Sequence, residues 1–322
     1  ICVVVVPHVP RQPRLGGLTE DEIISLTFLE FIEGKCEAEG VALLPMVKSA
    51  VRAMDAADAH AKEAWGVRLK TFTVTGASKR GWTTYLTAAI DARVTAAAPM
   101  VIDLLDIIPQ MKHQVASWGK PSEAIHDYTE KGLMEKLDTP RGRELQALVD
   151  PYSYRESLTI PKLVILASND RYWPVDASNL YWDGLLGQKN LLLVPNNGHS
   201  IDDYSRVVAS TAGLHRQALG GAAMPQPKWK YTGTGNPSTT LTVEPGGDVR
   251  KVSVWIARGE TRDLRNSRWE EMPLTAKEGV YSFTLEHPTA GFAAIYGEVT
   301  YAGENGQPVY VSTQVQIVGD KK

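Results

Sequence analysis

A serine hydroxyl attacks a carbonyl only if a base within hydrogen-bond reach takes its proton, a third group orients that base, and donors receive the developing oxyanion. This chain offers a candidate for each part. Ser78 stands in Gly76-Ala77-Ser78-Lys79-Arg80-Gly81, between an alternating stretch, Leu69 to Thr75, and a helical one, Trp82 to Ile90. A strand turning sharply into a helix favours residues without a bulky Cβ near the turn, and it aims the first helical amides at the reacting carbonyl. The amide of Lys79 is one candidate oxyanion donor. A second falls to the loop after the first apolar run, at Val9 or Arg11, because Pro7 and Pro10 carry no N–H. Asp170 follows the apolar run ending at Ala167, and His199 follows the next one, in Val194-Pro195-Asn196-Asn197-Gly198-His199. Three residues in the order Ser, Asp, His, each after a strand, can converge at one edge of a sheet.

Each residue also has a plainer reading. A glycine-flanked serine is usually only a turn, and the assignment gains its weight from the other two contexts in the right order. Asp103, after Pro99-Met100-Val101-Ile102, is an alternative acid; Asp176 reads as a helix cap and Asp202 as a solvated residue. His60, on an Ala-rich helix, and His287, in a β-rich region, read as surface or turn residues.

The elements that must position these groups are legible. Ile1 to Val6 reads as a buried strand already under way, which implies that the natural N-terminus is missing and leaves export undecided. Three prolines within residues 7–13 then impose a stiff extended loop. Thr19 is expected to cap a helix with Glu20, Asp21 and Glu22 in its first turn, and a second helix is expected from about Met46 to Trp65. Val94 to Met100, Leu163 to Ala167 and Leu191 to Val194 are near-continuous apolar runs, as parallel strands covered on both faces require. Residues 104–160 read as a helical cap insertion over the carboxyl edge of the sheet, carrying Trp118, Tyr128, Tyr152 and Tyr154. The small residues and prolines at 220–227 mark a linker. Short alternating runs beyond it, at 240–243, 252–256, 280–285 and 309–318, predict a β-sandwich of immunoglobulin or fibronectin type, with Trp255, Trp269 and Tyr281 as packing aromatics. The expected fold is therefore α/β: an α/β-hydrolase domain with a mostly parallel sheet over residues 1–222, then a β-sandwich domain over 228–322.

Composition narrows the function classes. The 322 residues, 43% hydrophobic and 22% charged, suit a folded globular protein with a sizeable core. A net charge of −3 without a basic stripe gives no reason to expect nucleic-acid binding. No apolar run approaches the roughly 20 residues of a membrane-spanning helix. Cys2 and Cys36 lack the spacing of a zinc site and leave at most one disulfide. Neither a metal nor an organic cofactor is implied, and the oligomeric state is unreadable.

At Gly76-Ala77-Ser78-Lys79-Arg80-Gly81-Trp82-Thr83-Thr84 and Ala98-Pro99-Met100-Val101-Ile102-Asp103-Leu104-Leu105, the chain resembles the PhoPQ-activated pathogenicity-related protein family. The likeness continues through Leu180 to Leu185, Asn196 to His199, Trp255 and Thr261-Arg262-Asp263. It implies a secreted or periplasmic origin. The elbow departs from Gly-x-Ser-x-Gly, since Arg80 occupies the second position after the serine; it is similar to the Gly-x-Ser-Arg-x-Gly elbow of glucuronoyl esterases. That similarity suggests that the side chain of Lys79 or Arg80 helps hold the oxyanion or a substrate carboxylate. The expected activity is that of a serine hydrolase, a carboxylesterase acting on a small or carbohydrate-linked ester. The alternatives are a peptidase or amidase on the same triad, β-lactams included, and a catalytically silent secreted binding or signalling protein.

Overall fold

The computed structural model describes residues 2–235 and 237–319. Thr19 opens helix α1 (Glu20–Ile32), and its N–H donates to the Glu22 carboxylate at 3.1 Å, so the acid-rich first turn does what its sequence predicts. Helix α2 (Leu43–Trp65) begins three residues before the expected Met46 and stops at Gly66, whose φ of 69° is left-handed. Strand β1 (Phe72–Ala77), helix α3 (Lys79–Ile90) and strand β2 (Val94–Met100) follow. The insertion contains α4 (Ile107–Trp118), the single turns α5 (His126–Thr129) and α6 (Leu133–Lys136), and α7 (Pro140–Val149). Strands β3 (Lys162–Ala167) and β4 (Lys189–Val194) and helix α8 (Ser205–Ala218) complete the α/β part.

Beyond residue 227 the chain forms β5 (Lys228–Thr232), β6 (Ser238–Glu244), β7 (Val249–Gly259), β8 (Glu270–Pro273), β9 (Tyr281–Glu286) and β10 (Phe292–Ala302). The last run, expected as one strand, is split into β11 (Pro308–Ser312) and β12 (Gln316–Gly319). The split comes where Thr313 turns its N–H to the Gly297 carbonyl, at 2.8 Å.

Strands β1 to β4 are parallel and adjacent in that order. The sheet does not end at β4. Strand β11 pairs with it antiparallel at Ser312 and Leu191, and β10, β7 and β8 extend the same sheet outward, with β12 on β10. A smaller sheet, β5-β6-β9, packs on one face. The C-terminal strands thus form two layers, one of them continuous with the parallel sheet.

Alternation along the strands assigns each face. In β3, Val164 and Leu166 pack with α1, α2, α3 and the insertion, while Leu163 and Ile165 pack with α8 and the smaller sheet. Strand β7 divides likewise: Trp255 and Ala257 face the first core, and Val252, Val254 and Ile256 the second. A strand buried on both faces must be apolar at every position, which is why β3 and β4 read as continuous runs.

The first apolar run departs from expectation. Residues 2–6 form no strand, and Val3 is 77% exposed. Apolar composition makes a strand only where an edge is offered and a face is covered, and nothing in the structure covers this run. Cys2 and Cys36 are both free. No helix among the described residues is long and apolar enough to cross a membrane.

Parallel strands flanked by helices, with the serine turn after one strand and the acid and histidine loops after the last two, constitute the α/β-hydrolase fold.

Candidate active site

Ser78 joins β1 to α3 with φ 56° and ψ −128°, a left-handed conformation that costs a residue with a Cβ of order 1–3 kcal/mol. Its neighbours hold it there. The Ser78 N–H donates to the Met100 carbonyl at 2.9 Å, which locks the turn to the end of β2. The flanking glycines are steric requirements: a Cβ on Gly76 would lie 2.7 Å from the Arg80 carbonyl oxygen, and one on Gly81 2.7 Å from that of Met100. As the first helical residue, Lys79 has an N–H that no intrahelical carbonyl can accept, and it lies at the positive head of the helix dipole.

Nε2 of His199 stands 2.9 Å from the Ser78 hydroxyl, and its Nδ1 stands 2.8 Å from a carboxylate oxygen of Asp170. A carboxylate only accepts, so Nδ1–H donates to Asp170 and Nε2 is left to accept the serine proton. The second Asp170 oxygen accepts the Tyr172 N–H at 2.8 Å, and the carboxylate is buried. The imidazole, 23% exposed, stays within reach of solvent.

Backbone contacts tie the two loops together and to the C-terminal strands. The Asn169 N–H donates to the Asn197 carbonyl at 2.9 Å, and the Asn196 N–H to the Ser168 hydroxyl at 2.8 Å. The Asn169 side-chain amide donates to the carbonyls of Arg265 and Ser267, at 3.2 and 2.7 Å. Asn196, at φ 54°, makes a two-way clamp: its amide donates to the Trp269 carbonyl at 2.9 Å and its side-chain oxygen accepts the Trp269 N–H at 2.8 Å.

A cluster of paired charges from α1 and α3 lies under the elbow. The Lys79 side chain, 6% exposed, is paired with Glu20 and, at 3.1 Å, with Asp21. Arg80 donates to Glu20 at 2.7 Å and to the Val9 carbonyl at 2.9 Å. The Arg80 guanidinium, with Lys79 beside it, holds the Glu20 carboxyl well below the usual carboxylate range. Asp21 also accepts from the Tyr172 hydroxyl at 3.3 Å. The Tyr172 ring lies on the imidazole of His199.

Above Ser78 opens a cleft enclosing about 720 Å³ of empty space, part of it open to solvent. One wall comes from α3 and the ends of the strands, the other from the insertion, which therefore does sit over the carboxyl edge of the sheet. Ser78, His199, Lys79, Asp21 and Tyr172 reach it. Among the described residues no group of His, Cys, Asp or Glu side chains is placed to hold a metal ion.

The sequence pattern of the PhoPQ-activated pathogenicity-related proteins matches residues 1–265. The chain belongs to that family. A curated relative, the autocrine proliferation repressor protein A of Dictyostelium discoideum, is 34% identical over 91% of this chain. The chain spans about 65% of that relative. Among solved structures, the acetyl xylan esterase from Paenibacillus sp. R4 is 15% identical with a TM-score of 0.43, covering 58% of this chain and 55% of its own. A Mycobacterium tuberculosis puromycin-hydrolyzing peptidase is 17% identical with a TM-score of 0.42, over 55% of this chain and 25% of its own.

Of the residues singled out in the sequence of this family member, Ser78, Asp170 and His199 are brought together. Asp103 is not: it is buried, accepts from the Tyr181 hydroxyl at 2.7 Å, and is pushed up to about 8 chiefly by burial. Asp176 is no side-chain cap, since it holds Arg262 at 2.7 Å and His113 at 2.9 Å. Val9 reaches the elbow only through its carbonyl, Arg11 is exposed, and neither lines the cleft. The ammonium of Lys79 and the guanidinium of Arg80 are already answered by acids. Sequence reasoning missed Asp21 and Tyr172. In sequence Asp21 reads as a dipole-compensating acid, yet its spacing of three and seven to Ile24 and Phe28 puts it on the buried face of α1.

Proposed function

We propose that this protein is a serine hydrolase that cleaves carboxylic esters through an acyl-enzyme. The supporting observation is the unbroken hydrogen-bond chain Ser78–His199–Asp170, at 2.9 and 2.8 Å, on a strained strand-to-helix turn. Ser78 Oγ bonds to the ester carbonyl carbon as His199 Nε2 takes its proton. The carbonyl oxygen becomes an oxyanion before the Lys79 amide. The C–O bond to the alcohol then breaks, and the imidazolium protonates the departing oxygen. Water, deprotonated by the same nitrogen, attacks the acyl-serine; the bond from the acyl carbon to Oγ breaks, the imidazolium returns the proton to Ser78, and the acid is released. Asp170 fixes the imidazole tautomer and stabilises its charged form. The amide of Lys79 is retained as oxyanion donor, whereas the side chains of Lys79 and Arg80 are assigned to holding the elbow on α1.

Ser78→Ala should abolish both labelling by a fluorophosphonate probe and hydrolysis of p-nitrophenyl acetate. Labelling that survives the substitution would remove the nucleophile assignment. The name of the Dictyostelium relative suggests a second reading, a signalling protein that acts without catalysis; a wild-type protein inert to the probe would favour it.

A further inference from the structure

The walls of the cleft define what part of a substrate they can hold. They are built largely from buried apolar side chains, among them Trp82, Leu104, Ile107, Leu137, Leu145 and Val149. Several of the polar groups that also reach the walls are already committed to the protein. The Trp82 indole N–H donates to the Val149 carbonyl. The Gln146 amide donates to the carbonyls of Leu137 and Gly142, at 2.7 and 3.3 Å. Tyr172 donates to Asp21, and Asp21 and Glu20 neutralise Lys79. Apart from Ser78, His199, Trp173 and Tyr128, the lining leaves little to hydrogen-bond the many hydroxyls of a sugar. A hydroxylated ligand entering here would give up bonds to water without replacement, at roughly 1–3 kcal/mol for each group left unmade.

We infer that the substrate carries a hydrocarbon chain, which the cleft between α3 and the insertion holds while Ser78 attacks the adjoining ester. This rests on the serine-hydrolase reading and adds the chemical class of the group bound. Half-buried Met111 and Met134 on the insertion side give the wall unbranched, adaptable surfaces suited to such a chain. The carbohydrate-linked ester considered from the sequence fits these walls poorly.

The test is the ratio of kcat/KM values along p-nitrophenyl esters from acetate to dodecanoate, alongside alkyl acetates of rising length and an acetylated xylose. Burial of each methylene predicts a gain of up to about fourfold until the cleft is filled. A rise along the acyl series places the chain on the acid side of the ester, and a rise along the alkyl acetates places it on the alcohol side; both support the inference. In Met111→Trp, and independently in Leu145→Trp, the ratio for octanoate over acetate should fall at least tenfold, a quantity that does not depend on how much of either variant folds. Acetate hydrolysis that is lost in Ser78→Ala, combined with a flat chain-length profile or a preference for the acetylated sugar, would overturn the inference and leave the hydrolase reading standing. No turnover of any ester and no probe labelling would remove both.

Discussion

The phenol ring of Tyr172 lies on the imidazole of His199, with centroids 4.1 Å apart and planes 28° from parallel. The same residue donates its N–H to Asp170 at 2.8 Å and its hydroxyl to Asp21 at 3.3 Å. One side chain therefore limits the tilt of the base while its backbone orients the acid.

Removing that ring should be felt in turnover. Stacked aromatic pairs contribute about 0.5–1.5 kcal/mol beyond burial, so Tyr172→Ala should lower kcat by about tenfold. Tyr172→Phe keeps the stack and should stay within about threefold of wild type. Steady-state kinetics on a p-nitrophenyl ester separates the two; equal losses would assign the effect to the hydroxyl and Asp21.

Asn196 offers a test of positioning. Its left-handed φ is tolerated by Asn and Gly, and its side chain clamps Trp269. Asn196→Gly should keep the backbone and lose the clamp, lowering kcat several-fold with KM little changed. Asn196→Ala should lose both, with a larger fall in kcat and a lower Tm. If both variants match wild type in kcat, the clamp has no bearing on His199.

Asp103 sets a pH dependence of stability. Its folded value near 8 lies above the ordinary value of 3.8, so between those limits the unfolded chain has lost a proton that the folded one keeps. The contribution of Asp103 to stability therefore falls as pH rises from about 4 to about 8, and is level outside that window. Asp103→Asn, which cannot ionise, should gain in Tm relative to wild type as pH goes from 5 to 8. Thermal melts at several pH values check the sign; a difference that does not vary with pH would contradict it.

Glu20 should act in the opposite sense. Its carboxyl is held low, first by Arg80 and then by Lys79, so its contribution is present above pH 4.5 and lost as pH falls toward the depressed folded value. Wild type should exceed Glu20→Gln in stability at pH 7, with the gap closing below about pH 4. The variant should also lose turnover, because Lys79 and Arg80 lose the acid that holds the elbow to α1.

How much of this was legible in the sequence follows the range of the interactions. Helix α1 announces itself through Thr19 and three acids, and β3 through six residues buried on both faces, because both signals are local. The Ser78, Asp170 and His199 contexts were readable because each sits where a strand stops. Residues 2–6 misled because apolar composition cannot say whether a partner strand is present. The roles of Asp21, Tyr172 and Asn196 were hidden for the same reason: each is defined by a neighbour remote in sequence, Lys79, Asp21 and Trp269 respectively.

The junction of Ser312 with Leu191 has a consequence for biogenesis. The open side of β4 receives its neighbour only from β11, far along the chain, and the Asn196 clamp waits for Trp269. A nascent chain that has not yet released β11 thus carries the nucleophile early but cannot complete its catalytic geometry, and its bare strand edge is a template for intermolecular pairing until β11 emerges.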